Sequence, residues 1–564
     1  MPDFDSLHQD VPPWGIERLA SGLALGRDQV EPFGWYKGKF ALGLHERLAT
    51  LPSGKYVNAT AISPTPLGEG KTVTAIGLAM ALQRIGKRSI VTLRQPSLGP
   101  LFGIKGGGAG GGKARLFPFD DVNLHLTGDI HAVAAATNLL AAVIDNHVGR
   151  RLSPALDPAT INWRRCVDIC DRSLRTIETG ISDEPHGVRR RTSFDLAPAS
   201  EMMAILALAT SLEDLRVRLG RIVIGQSPDG PFVTADDLKV AGALTALLRD
   251  ALRPNLVQTC EGTPALVHTG PFANIAHGNS SVIADLAAIR LADFVVTESG
   301  FGADCGAEKF FNIKCRVSGL RPDVEVLVCT TRALKLHSGQ FSVHAGRPLP
   351  RELTAENLPA IHAGAANLQA HLEILRLFGV PVVVAINHFP DDHDREVAAI
   401  ERIAHETGAT AVAVTTAFQD GGAGAVSLAE AVSNASTLVP QFRFLYPDDL
   451  PVADKIATIA TKVYGADGVD FAPDAARQLK SLHLHGFDQL PVCIAKTQYS
   501  LSHDPALRGR PLGFRFPIRS VRLAAGAGYI YALSGDIQTM PALPAQPAAT
   551  RIDIDAAGNV IGLT

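Results

Sequence analysis

The chain has 564 residues, 46% hydrophobic and 19% charged, with a formal net charge of −3. That balance fits a globular chain of several domains and excludes a disordered or collagen-like one. The only compact basic run is Arg189-Arg190-Arg191, and no apolar run reaches the ~18 residues of a membrane span. No nucleic-acid or membrane partner is therefore expected. The N-terminus has no basic segment followed by an apolar one, so the expected location is cytoplasmic.

In chain order, "KYVNATAIS" (55–63) reads as a strand and "TVTAIGLAMALQRIG" (72–86) as a helix ending at Gly86. "RSIVTL" (88–93) is the next strand. Residues from about 155 to 240 are more charged and helix-rich, and read as an insertion. Here Cys166 and Cys170 are spaced to suit one helix face; with no C-x-x-C pair, the seven cysteines read as reduced thiols. Apolar strands return at 291–298, 324–331, 380–387 and 410–416, with a helix at 394–408 before the last. "VRLAAGAGYIYAL" (521–533) reads as short strands around a glycine turn.

Apolar strands alternating with helices predict an α/β fold. The expected core is a P-loop NTPase-like, mostly parallel sheet with helices on both faces. The expected division is 1–155 and 241–455 as two parts of that core, 156–240 as an inserted helix-rich subdomain, and 456–564 as a C-terminal α/β subdomain.

The first chemistry-bearing stretch is "TPLGEGKT": Thr65, Pro66, Leu67, Gly68, Glu69, Gly70, Lys71 and Thr72. It follows a strand and opens a helix, the setting a phosphate loop needs. Backbone N–H groups and the helix N-terminus would face ATP phosphates, Lys71 would reach the outer phosphates, and Thr72 would meet Mg²⁺. Thr65 stands where the motif has its first glycine. Arg94 ends the following strand, placed either to clamp a carboxylate or phosphoryl group or to form a surface salt bridge.

The tract 106–112 holds six glycines. No strand leads into it, so it reads as a loop closing over a ligand and not as a dinucleotide fingerprint. Lys105 would add charge there. His125, Asp129 and His131 fit no zinc spacing, and Thr127 or Asp129 reads as a helix cap.

Long stretches resemble the formate–tetrahydrofolate ligase family. They include "TPLGEGKT", "RQPSLGPLFGIKGG", "NLHLTGDIHAV", "GPFANIAHG", "TESGFGADCGAEKFFNIKCR", "FGVPVVVAINHFP" and "CIAKTQYSLSHDPALRGRP". The resemblance spans nearly the whole chain, and Thr65-Pro66 is itself the family's habit. It implies that formate attacks the γ-phosphate of ATP, giving formyl phosphate, and that the N10 amine of tetrahydrofolate then takes the formyl group. It also implies Mg²⁺, an activating K⁺ or NH₄⁺ ion, and a homotetramer.

By the same resemblance, 65–72 hold ATP, Lys71 and Arg94 are catalytic, and Arg94 meets the intermediate. Phe389 with Pro390, and Phe418 in place of the family's tryptophan, would sandwich the pterin ring. From the residues alone, Phe389 and Phe418 follow neighbouring strands and share an edge, or are ordinary core phenylalanines. Glu298 would serve Mg²⁺ beside Thr72, through water, or cap its loop, and Phe301 and Asp304 match a ligand-lining loop. Gly108, Lys113, Asn279 and Ser338 depart from the family pattern. Other readings are a weakened or silent relative, or a P-loop enzyme acting on another acid.

Overall fold

The computed structural model describes residues 13–103, 108–182, 185–343, 349–535 and 537–563. Its centre is a twelve-stranded sheet. We number its main strands in chain order: β1 (Val30–Pro32), β2 (Gly38–Phe40), β3 (Lys55–Ala61), β4 (Ser89–Leu93) and β5 (Asn255–Thr259). There follow β6 (Pro264–Val267), β7 (Phe294–Gly302), β8 (Val324–Cys329), β9 (Val382–Asn387) and β10 (Ala411–Thr415). The spatial order is β1-β2-β5-β6-β4-β7-β3-β8-β9-β10. From β6 to β10 all pairings are parallel; β1, β2 and β5 extend the sheet antiparallel.

The central strands are buried on both faces, which explains their continuous apolar runs. Helix α1 (Lys71–Arg84) covers the sheet and is buried from Thr74 to Leu82. Gly77 allows close approach: a β-carbon there would lie 2.4 Å from Ala417 Cβ. Helix α2 (Asp129–Gly149) begins at Gly128, with φ +88°, and neither Thr127 nor Asp129 caps it. Asp129 instead forms a buried ion pair with Lys39 at 2.8 Å.

Outside the sheet, residues 156–240 contain three two-stranded pairings and the helices Glu201–Leu208 and Leu212–Gly220. Cys166 lies on the strand Arg165–Val167, not on a helix, because this short strand pairs with Phe194–Leu196. Near the C-terminus, Ser520–Ala524 and Tyr529–Leu533 form the expected hairpin, turning at Gly528 with φ +79°. Among the described residues, no helix is long and apolar enough to cross a membrane.

Candidate active site

The loop after β3 ends where α1 begins, at Lys71. Gly68 and Gly70 both have φ +77°, a conformation that a β-carbon disfavours. A β-carbon on Gly70 would also fall 2.3 Å from Asn387 Nδ2. That amide donates to the Glu69 carbonyl at 3.1 Å, so the end of β9 braces the last turn of the loop. Thr65 has a use where the motif has glycine: its Oγ1 accepts the Leu67 N–H at 3.3 Å. Its own N–H donates to Glu69 Oε1 at 2.7 Å. Burial pushes the Glu69 carboxyl up to about 7, against the pull of the Lys71 charge.

The strand order corrects one expectation. Arg94 follows β4, which is not beside the P-loop strand; β7 runs between β4 and β3. This interposed strand carries Glu298, the last residue in regular register before the β3 ladder shifts. Thr72 Oγ1 donates to Glu298 Oε2 at 2.7 Å. Arg94 Nη2 lies 3.5 Å from Glu298 Oε1, and Arg94 Nη1 donates to the Pro271 carbonyl at 3.3 Å. Arg94 Nε is buried without a hydrogen-bond partner. A β-carbon on Gly300 would sit 2.8 Å from Arg94 Nη1, so the backbone passes tightly over the guanidinium.

Two oxygen donors, the Thr72 hydroxyl and the Glu298 carboxylate, thus meet at the N-terminus of α1. That set suits Mg²⁺, which takes hard oxygens, few carboxylates and substrate phosphates. Among the described residues, no group of three or more His, Cys, Asp or Glu side chains is arranged to hold a metal.

β9 and β10 are paired, with Asn387 opposite Thr415. Phe389 and Phe418 follow on the same edge, as expected, with helix Asp394–Glu406 between them in sequence. Pro390 is exposed beside Phe389. The Arg332 guanidinium lies 4.0 Å from the Phe389 ring centroid and is ion-paired with Asp391. One face of Phe389 is therefore covered and the other is left for a ligand. Phe418 is 39% exposed. The glycine tract packs on it: the Lys113 N–H donates to its carbonyl at 2.8 Å. A β-carbon on Gly112 would lie 2.1 Å from that carbonyl oxygen, and one on Gly111 would lie 3.2 Å from the ring.

Other expectations fare differently. Asp304 is buried and paired with Lys496 at 2.6 Å, so its family loop presents no open carboxylate. Phe301 sits in the left-handed region, φ +63°. Lys105 lies outside the described residues. Three contributors escaped the sequence reading: Asn387, Arg332 and the backbone of Lys113. A polar residue closing the apolar strand 382–387 was the one local signal, and it pointed to Asn387.

The family model for formate–tetrahydrofolate ligase matches residues 5–564. A formate–tetrahydrofolate ligase of Roseiflexus sp. (strain RS-1) is 58% identical over 551 residues, 97% of each chain. That of Saccharopolyspora erythraea is 55% identical over 549 residues, again 97% of each. That of Desulforamulus reducens is 53% identical over 558 residues, 99% of this chain and 98% of the relative. The chain belongs to the formate–tetrahydrofolate ligase family.

Proposed function

We infer that the protein joins formate to the N10 nitrogen of tetrahydrofolate at the expense of ATP, yielding 10-formyltetrahydrofolate, ADP and phosphate. The observation that carries this reading is the chain of contacts from Thr72 through Glu298 to Arg94. It puts a phosphate loop and a guanidinium on one sheet edge, with two aromatic side chains farther along it.

The roles of individual residues are part of the proposal. Residues 65–72 hold the triphosphate, with loop N–H groups and Lys71 facing its oxygens. Thr72 and Glu298 would hold Mg²⁺, which when bound neutralises phosphate charge. A formate oxygen attacks the γ-phosphorus and ADP leaves. The Arg94 guanidinium, fixed by Glu298 and the Pro271 carbonyl, meets the formyl phosphate with two N–H groups. N10 then attacks the formyl carbon and phosphate departs with the bonding electron pair. Carboxylate alone is a poor acyl donor, so the phosphate ester is what makes the second step feasible. The pterin ring stacks between the open face of Phe389 and Phe418, beside Pro390, gaining on the order of 1 kcal/mol per face beyond area burial.

An activating K⁺ or NH₄⁺ ion, a homotetramer and a cytoplasmic location complete the proposal, supported by family membership. So does the division at 155, 240 and 455, supported by the small separate sheets on either side of the main core.

Four departures from the family pattern bear on a silent relative. Asn279 donates to Ser299 Oγ at 2.8 Å and to the Glu298 carbonyl at 3.3 Å, bracing the strand that carries Glu298. Ser338 ends its helix by donating to the Lys335 carbonyl at 2.6 Å. Lys113 and Phe418 touch each other through the backbone. Each departure is accommodated in the fold, and the loop, Glu298 and Arg94 are intact. The test is ADP release with formate and tetrahydrofolate each omitted in turn. Release that depends on both supports the ligase. Release indifferent to both overturns it, and folate binding without turnover marks a silent relative.

A further inference from the structure

A second cavity adjoins the phosphate loop, with a volume of about 170 Å³. It is lined by Pro64, Thr65 and Pro66 from the loop, Leu336 and His337, and Tyr499, Pro505 and Arg508 from the C-terminal region. We propose that this cavity seats the p-aminobenzoyl-glutamate half of tetrahydrofolate, with Tyr499 against the benzoyl ring and Arg508 facing the glutamate carboxylates. The proposal rests on the folate reading above and extends it to the half of the substrate that Phe389 and Phe418 do not reach.

Three observations carry it. The first is position. Helix α3 (Thr331–His337) begins beside Phe389, where Arg332 covers one face of the ring, and ends at the cavity with Leu336 and His337. Arg332 and Leu336 are four residues apart and so share a helix face, separated by about 6 Å of rise. The two seats thus lie at the two ends of one short helix. Its far end is pinned to the phosphate loop, because His337 Nε2 bonds the Ser63 carbonyl at 2.8 Å. Burial holds the His337 ring neutral, its value lowered to about 4. It is therefore a brace in the wall and adds no charge to the cavity.

The second observation is connectivity. In tetrahydrofolate, N10 joins the pterin side to the benzoyl ring. N10 must meet a formyl phosphate made at the phosphate loop. A pterin at Phe389 with N10 over that loop leaves the benzoyl ring to continue past the loop's first residues. Thr65 and Pro66 form that wall of the cavity.

The third is charge. Arg508 is exposed, and its Nη1 donates to the Phe341 carbonyl at 3.0 Å. Among the described residues it has no carboxylate partner. A guanidinium without an acidic neighbour on a mostly apolar cavity suits an anionic tail on a flat ring. A neutral purine would leave that charge unused. Tyr499 is 38% exposed and offers a ring at the same opening.

The test uses full-length enzyme with two acceptors, tetrahydrofolate and tetrahydropteroate, which lacks the glutamate. Arg508→Ala should raise the KM for tetrahydrofolate roughly tenfold, the loss of one charge-assisted contact. It should leave the KM for tetrahydropteroate and for ATP unchanged, and Arg508→Lys should recover part of the loss. Tyr499→Leu should raise the KM for both acceptors. A raised KM for ATP would assign the cavity to the nucleotide and overturn the proposal. An unchanged tetrahydrofolate KM in Arg508→Ala would also overturn it. Phe418→Ala, run alongside, reports on the pterin seat alone, so failure of that seat and failure of this cavity are read separately.

Discussion

The phosphate loop and the aromatic edge share one sheet but are held by different means. Around the loop, the side chains are braced by direct polar contacts: Thr72 to Glu298, Glu298 to Arg94, Asn387 to the Glu69 carbonyl. At the aromatic edge the ligand-facing rings are partly exposed. What holds Phe418 includes a backbone contact from a glycine-rich segment. The first region must fix charges before substrate arrives, because stabilisation of a developing charge depends on preorganised donors. The second needs only flat surfaces at the right spacing, which tolerate exchange of tryptophan for phenylalanine.

This contrast is broken most sharply at Lys71. Lys71→Ala should lower kcat on the order of 10³-fold, as loss of a charge that faces the transferring phosphoryl group. Single-turnover ADP formation is the check, and a loss under tenfold would refute its role. Gly112→Ala comes next. The new methyl would lie 2.1 Å from the Phe418 carbonyl oxygen, at φ +55°, so the segment must shift. About 1–3 kcal/mol of stability should be lost by chemical denaturation. The KM for folate should rise while that for ATP stays constant, because the loop is braced elsewhere.

Phe418→Ala should raise the folate KM roughly tenfold with little change in kcat, reflecting a lost stacking face. Phe418→Trp should lower it. An unchanged KM in both variants would undo the sandwich. The smallest effect concerns Glu69. Its folded value of about 7 is raised above the ordinary 4.5 by burial. The folded protein therefore holds this proton more tightly than the unfolded chain. The resulting stability is full below 4.5 and is lost as pH rises through about 7. Glu69→Gln keeps the acceptor for the Thr65 N–H and removes the titration. Urea unfolding of both proteins at pH 5 and pH 8 should show the wild type losing more stability than the variant across that interval.

Much of the loop region was legible because its signals are local. A strand, a Gly-rich turn and a helix opening with Lys71-Thr72 are contiguous, and short-range sterics dictate their geometry. Phe389 and Phe418 could also be placed on one edge, since consecutive parallel strands joined by a helix tend to be neighbours. Asp129 went wrong for a non-local reason: Lys39, far away in sequence, claims its carboxylate in the interior. Asp304 went the same way through Lys496.

Read alone, the chain specified an α/β enzyme with a phosphate loop at 65–72 and, through its long motifs, its family. Tertiary structure decided the rest. It inserted β7 between β3 and β4, which puts Glu298 between Thr72 and Arg94. It laid Arg332 over one face of Phe389 and the glycine tract under Phe418. The physical reason is that strand order and side-chain partnership are set by the summed burial of many distant elements. Helix, strand and turn are set by residues within a few positions of one another.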